Sequence, residues 1–126
     1  MSQLRAQISL SSTSVSNENF KFDCVKLVQT KNPAIQTKAC TIETGSDTAI
    51  VTPAATEAAY VFVYNTDVTN YVKVKFDDGG GNALYAQRVG PREATWISVD
   101  SSIACSLKAD TASCKVEFGY FTLNKY

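Results

Sequence analysis

The sequence predicts an all-β protein, an antiparallel, jelly-roll-like β-sandwich of about nine or ten short strands. Short runs in which apolar and polar residues alternate recur every 8–12 residues or so. Turn-forming residues separate these runs, and no segment has the apolar spacing of a long helix. A chain of 126 residues is long enough for one such domain with its own core.

The strands are expected along most of the chain. The segment 1–19 is rich in Ser, Thr and Asn, and its alternating Ile8 and Leu10 predict an N-terminal arm or edge segment. The single sandwich domain is predicted over 20–126. Its strands are expected at 20–28, 38–43, 48–52, 58–64, 71–76, 83–89, 94–99, 103–107 and 114–118.

The run 58–64 is apolar on both faces, which is typical of a central strand. Its three aromatic side chains share one face, and the tyrosine that begins the next strand lies on a solvent face. Such a stripe is more often core, but burial in an oligomer interface and stacking on a ligand are alternatives. The candidate interface residues are Ile8, Leu10, Tyr60, Phe62, Tyr64 and Tyr71.

The last two strands are predicted to form a hairpin with a tight loop at 110–111. This register places Leu107 opposite Cys114 and Cys105 opposite Val116. Cys105 and Cys114 would then be diagonal neighbours about 7–8 Å apart, beyond comfortable disulfide reach. No signal-peptide pattern is seen at the N-terminus, so we expect reduced thiols. The four cysteines are Cys24, Cys40, Cys105 and Cys114.

The residue types offer little catalytic chemistry. The chain contains no histidine, which removes the usual Ser–His, Cys–His and His–metal arrangements. The cysteines lack the close spacing of a zinc site. A pair of carboxylates across a cleft is the remaining enzymatic alternative, but most of the acids lie at predicted turns. We therefore predict a protein that is not an enzyme, with no catalytic residue, cofactor or metal site.

The segment Asp77-Asp78-Gly79-Gly80-Gly81-Asn82 is the most conspicuous local motif. Calcium binding is one interpretation, because oxygen ligands crowd a flexible turn. The segment lacks the closing glutamate of an EF-hand and the Gly-Lys-Ser/Thr ending of a phosphate loop. We favour the second interpretation, a hairpin loop between two strands.

The charge distribution argues against two classes of partner. Twelve basic and twelve acidic residues cancel, and no stretch concentrates Lys or Arg. We therefore expect no nucleic acid and no anionic membrane as a partner. The longest apolar run is 58–64, far shorter than the roughly 20 residues of a membrane-spanning helix.

A characteristic order of motifs runs through the second half of the chain. The run 60–64 ends in Asn-Thr-Asp at 65–67, and the strand at 71–76 follows. Gly-Pro-Arg-Glu at 90–93 precedes the next strand, and Lys-Ala-Asp-Thr at 108–111 leads to Val-Glu-Phe-Gly-Tyr-Phe at 116–121. This order, over about half of the chain, resembles small virion structural proteins of tailed bacteriophages.

The resemblance implies a β-sandwich that decorates or cements the capsid, often as a trimer. We therefore expect a non-catalytic virion structural protein, a capsid decoration protein that stabilises the phage head. Its expected partners are itself, as a homotrimer, and other virion proteins such as the major capsid protein. Its expected location is the virion, assembled in the host cytoplasm. The alternatives are a tail, neck or fibre component, and a carbohydrate- or receptor-binding β-sandwich module.

Overall fold

The computed structural model describes residues 2–12, 20–30 and 38–125. These residues form ten strands and no helix, which confirms the all-β prediction. The predicted arm 1–19 is therefore described only up to residue 12. The strands are β1 (Ser2–Ser12), β2 (Phe20–Thr30), β3 (Lys38–Ile42), β4 (Thr48–Val51), β5 (Glu57–Asn65), β6 (Val72–Asp77), β7 (Ala83–Val89), β8 (Ala94–Val99), β9 (Ala104–Ala109) and β10 (Cys114–Asn124).

Strands β3 to β10 form a sandwich of two four-stranded antiparallel sheets. The front sheet has the order β3-β10-β5-β8, and the back sheet has the order β4-β9-β6-β7. Only β6 and β7 are consecutive strands in the same sheet, so every other connection from β3 onward crosses between the sheets. This is the strand order of an eight-stranded jelly roll, and the predicted jelly-roll-like sandwich is confirmed.

The core lies between the two sheets and is built from the inward positions of the alternating strands. β-Branched valines dominate it because they fit a pleated surface well. Full burial of each such side chain contributes about 1.5–3 kcal/mol. The core residues are Ile42, Val61, Val63, Val72, Val74, Val89, Val99, Cys105, Leu107, Ala109, Cys114, Val116 and Phe118.

The predicted pairing of the last two strands is wrong. Strand β9 pairs with β4 and β6 in the back sheet, whereas β10 pairs with β3 and β5 in the front sheet. Leu107 and Cys114 are both buried, but they enter the core from opposite sheets. Cys105 is also buried, and burial raises the pKa of its thiol to about 11. All four cysteines are free thiols.

Strands β1 and β2 form a separate two-stranded sheet, here called the ribbon. They pair along their whole length, from Ser2 opposite Thr30 to Ser12 opposite Phe20. The strand at 20–28 was predicted to belong to the sandwich, but it pairs with the N-terminal segment instead. The ribbon approaches the sandwich where β2 lies near β10.

Candidate interaction surface

Four aromatic side chains form a cluster on the outer surface of the front sheet. This aromatic face consists of Tyr60, Phe62, Trp96 and Phe121. The strand register brings them together, because Phe62 lies opposite Trp96 and Tyr60 lies opposite Phe121. The rings of Tyr60 and Trp96 meet edge to face, with centroids 5.1 Å apart and planes at 66°. Aromatic pairs favour this geometry, so the cluster is packed and not merely adjacent.

The ribbon lies against the aromatic face. Ala6 and Gln7 of β1, together with the four aromatic residues, line a groove of about 190 Å³. Gly119 of β10 lies opposite Phe62 and adds no side chain to this part of the sheet. The indole Nε1 of Trp96 is buried there and has no hydrogen-bond acceptor among the described residues. Apolar and aromatic side chains make up most of the groove lining, with Gln7 and this indole N–H as its polar groups.

Five of the six predicted interface residues lie on this side of the molecule. Tyr60 and Phe62 belong to the aromatic face, and Tyr64 follows them at the end of β5 with 38% of its surface exposed. Ile8 and Leu10 lie on the ribbon, where Ile8 is half-buried and Leu10 is 56% exposed. The structure therefore brings the predicted arm residues and the predicted β5 residues to one side of the protein.

Tyr71 is the sixth predicted residue, and it lies apart from the others. It precedes β6 in the back sheet and continues the outward alternation of Lys73 and Lys75. The guanidinium of Arg88 lies over its ring, 4.7 Å from the centroid, in a cation–π contact. Its ring face is therefore already covered by a side chain of the same chain.

The ribbon exposes apolar side chains on both of its faces. Leu10 and Phe22 are cross-strand partners on one face, and they are 56% and 49% exposed. Val25 and Leu27 lie on the opposite face, and they are 49% and 57% exposed. This second face was not predicted, although the two-residue spacing of Val25 and Leu27 was visible in the sequence. It also carries polar and charged side chains, because Arg5 lies opposite Leu27, so Val25 and Leu27 form an apolar patch within it.

The back sheet carries a different surface, made of cations around one aromatic ring. The ammonium groups of Lys73, Lys75 and Lys108 lie 5.1, 5.5 and 5.4 Å from the ring centroid of Tyr85. Asp47 accepts hydrogen bonds from the Tyr85 hydroxyl at 2.7 Å and from Lys75 at 2.9 Å. These two bonds lower the pKa of the Asp47 carboxyl. Because β6 contributes two of the cations, β9 the third and β7 the ring, the cluster is not visible as a run in the sequence.

A second depression is lined by the residues around β3, the loop after β5 and the start of β10. Asp67 is its one carboxylate among the described lining residues. Its Oδ2 accepts hydrogen bonds from the backbone N–H groups of Asn70 at 2.6 Å and Thr69 at 2.9 Å, and these bonds lower its pKa. The carboxylate therefore holds a loop in place, and the depression does not supply the pair of acids that glycoside hydrolysis uses.

The glycine-rich segment is the hairpin loop between β6 and β7, as favoured from the sequence. The Oδ1 of Asp78 accepts the N–H of Gly80 at 2.8 Å, and its Oδ2 accepts the side-chain amide of Asn82 at 2.9 Å. These contacts lower the pKa of Asp78. Gly79 and Gly81 have φ of 80° and 88°, a region that favours glycine. The carboxylate oxygens of Asp78 thus accept hydrogen bonds from N–H groups of the same loop.

The described part of the chain contains no group of three Asp, Glu, Cys or His side chains arranged for a metal ion. Within the same residues, no helix has the length and apolar character needed to cross a membrane. Comparisons of the chain with protein-family models, with curated proteins and with solved structures find no match.

Proposed function

We propose that this chain is a non-catalytic structural protein of a tailed-bacteriophage particle, and that it decorates and cements the capsid of the phage head. The observation that carries the proposal is the ribbon, whose apolar side chains are exposed on both faces beside the aromatic face. Exposed apolar surface of this kind marks a site of protein association, whereas a small substrate would need a concave pocket with converging polar groups.

The sandwich supports the same proposal. Its two sheets form a rigid eight-stranded jelly roll, an architecture found in viral capsid domains and in lectins. The motifs that resemble phage virion proteins run from β5 to β10, the greater part of this sandwich. Under the proposal, the partners are other copies of this chain and the major capsid protein, neither nucleic acid nor membrane is bound, and assembly takes place in the host cytoplasm.

The test uses purified particles of the phage that encodes the chain. Mass spectrometry is expected to find the chain in many copies, and cryo-electron microscopy is expected to place it on the head shell. A Leu10→Ser/Phe22→Ser double variant is expected to lower its occupancy on heads. Leu84→Ser, which changes a 66% exposed side chain on β7, serves as the control and should leave occupancy unchanged.

The outcomes separate the proposal from its alternatives. Absence of the chain from purified particles would overturn it. Density confined to the tail, neck or fibres would replace the head assignment with that alternative. Equal loss of occupancy for the ribbon variant and the Leu84 control would show that the ribbon has no special part in attachment.

The back sheet favours a second candidate function, a carbohydrate- or receptor-binding module. The Tyr85 ring is 37% exposed and lies among the hydrogen-bonding groups of Asp47 and the surrounding lysines, and tyrosines with an apolar ring and a polar end are enriched at binding interfaces. A glycan array probed with the purified chain tests this function. Binding that Tyr85→Ala abolishes would support it, and an array without any hit would remove it.

A further inference from the structure

We propose that the ribbon holds copies of this chain together, in a homo-oligomer in which a neighbouring copy covers the ribbon face that the chain's own sandwich leaves open. The inference rests on the proposed function and deepens it, because it names the surface used for self-assembly. The occupant of the exposed ribbon face is thus a second copy of this chain.

The first step is that the ribbon needs more cover than its own chain provides. A two-stranded sheet is marginally stable in water unless it packs against something else. Ala6 lines the groove at the aromatic face and Ile8 is half-buried, but Leu10 and Phe22 are about half exposed. The polar support described for the ribbon is local, such as the hydrogen bond from Ser9 to Asp23 at 2.7 Å.

The second step concerns the number of faces to be covered. Val25 and Leu27 are on the face opposite Leu10, and all three are about half exposed. A single flat partner, such as a capsid shell, covers one face of a ribbon. Between its own sandwich and a neighbouring copy, the ribbon is covered on both faces, and the apolar side chains of Val25 and Leu27 are removed from water.

The third step is the area. Each ribbon strand has 11 residues, which span about 36 Å, and two strands with their side chains are about 10 Å wide. One ribbon face is therefore about 350 Å² of flat area. In a symmetric assembly each copy gives one ribbon face and receives another, so it loses about 700 Å². A standard interface removes about 800 Å² from each partner, so the exchange suffices for a stable complex.

The fourth step is charge. The described ribbon strands carry three cations, Arg5, Lys21 and Lys26, against one carboxylate, Asp23, which is a net side-chain charge of +2. Residues 38–125 carry eight cations and ten carboxylates, which is a net charge of −2. A contact between the ribbon of one copy and the sandwich of another is therefore favoured, whereas ribbon-to-ribbon or sandwich-to-sandwich contacts are not.

The experiment measures the mass of the full chain by size-exclusion chromatography with light scattering. The native chain is expected at two or more times its 13.7 kDa. A Val25→Ser/Leu27→Ser variant is expected at the mass of one copy. The matched control is Val68→Ser/Leu84→Ser, which removes two side chains that are 63% and 66% exposed on the sandwich and should leave the mass unchanged.

Two further readouts guard the interpretation. Far-UV circular dichroism should show the same thermal unfolding of the sandwich in both double variants, so that a loss of mass is not a loss of folding. A thiol on the covered face reports cover directly, and Ser9→Cys in a Cys24→Ser chain places one on the face of Val25 and Leu27. Its reaction with a maleimide is expected to be slower by about tenfold or more in the oligomer than after Val25→Ser/Leu27→Ser is added.

A native chain that is monomeric at micromolar concentration overturns the inference, as does a control variant that dissociates as readily as the ribbon variant. The self-assembly inference and the proposed function can fail separately. If the chain is a monomer but is abundant on phage heads, only the self-assembly inference is contradicted. If it is an oligomer held by its ribbon but is absent from particles, only the virion assignment is contradicted.

Discussion

Replacing Asn65 with alanine removes a buried side chain that joins the end of β5 to two loops. The side chain is 0% exposed. Its Nδ2 donates hydrogen bonds to the carbonyl oxygens of Asn70, Val89 and Gly90 at 2.9, 3.2 and 3.1 Å. Its Oδ1 accepts the N–H of Asp67 at 3.0 Å. The variant therefore removes four hydrogen bonds to backbone groups, although the carbonyl of Gly90 still accepts the N–H of Glu93 at 3.1 Å.

The loss in free energy of unfolding depends on which of these backbone groups water can reach in the variant. The bonds to Val89 and Gly90 are buried, whereas those to Asn70 and Asp67 are partly open to solvent. Losing the bond to the Val89 carbonyl costs about 1–3 kcal/mol, and losing the bond to Gly90, which keeps Glu93, costs about 0.5–1.5 kcal/mol, so the sum is about 3 kcal/mol. The total stability of such a domain is of the order of 5–15 kcal/mol. For a domain of this size, the loss lowers Tm by roughly 10–15 °C.

Urea unfolding measures this loss, with the fluorescence of Trp96, the single tryptophan, as the probe. The matched control is Asn82→Ala, which removes an exposed side-chain hydrogen bond to Asp78 and should cost less than about 1 kcal/mol. If Asn65→Ala lowers the free energy of unfolding by no more than the control does, the assignment of Asn65 as a buried hydrogen-bonding centre is refuted.

Three further predictions concern single polar side chains. The hydroxyl of Thr122 is buried without a partner among the described residues, so Thr122→Val is expected to raise the free energy of unfolding by about 1 kcal/mol in urea titrations. Thr66→Val removes a 2.5 Å bond to a β10 carbonyl and should lower it by about 0.5–1 kcal/mol; losses in both variants would contradict the reasoning. Hydrogen bonds from Lys75 and, second, Tyr85 lower the pKa of Asp47 from 3.8. The Asp47 carboxylate therefore stabilises the folded protein above pH 3.8, and this contribution is lost as the pH falls through the folded pKa. Asp47→Asn is expected to flatten the decline of the urea midpoint as the pH falls below about 5, and superimposable pH profiles would contradict this.

The positions of the strands could be read from the sequence because a half-buried strand repeats every two residues. Val72 and Val74 point inward and Lys73 points outward, as their alternation indicates. The run at 58–64 was also placed correctly, since β5 lies between β10 and β8 in the front sheet. These features are local, and the side-chain pattern of one strand is enough to predict them.

Which strands pair with each other was harder to predict from the sequence than where each strand lies. The alternation of Cys105 and Leu107, and of Cys114 and Val116, shows which side chains enter the core. It does not show whether two consecutive strands lie side by side or face each other across the core, because both arrangements bury the same residues. The hairpin predicted for the last two strands failed for this reason.

Asn65 was missed as a structural centre, although the sequence held a signal. Asn65 follows Val61 and Val63 at two-residue intervals along β5, so its side chain is expected on the same inward face, among the buried valines. A buried amide needs partners, and the turn residues that follow supply them. The Asn-Thr-Asp motif at 65–67 therefore has a structural role here: Asn65 and Asp67 accept or donate bonds that hold the loops together.

The sandwich and the ribbon differ in how far their polar groups are hydrogen-bonded and their apolar side chains buried within the same chain. In the sandwich, Asn65, Asp67 and Asp78 hydrogen-bond to nearby backbone groups, and the apolar residues fill the space between the sheets. In the ribbon, apolar side chains such as Val25 and Leu27 remain about half exposed. Substitutions in the two parts should therefore separate two properties. Changes at Asn65 are expected to lower the free energy of unfolding of the sandwich. Under the proposed self-assembly, changes at Val25 and Leu27 are expected to release a neighbouring copy and leave the fold intact.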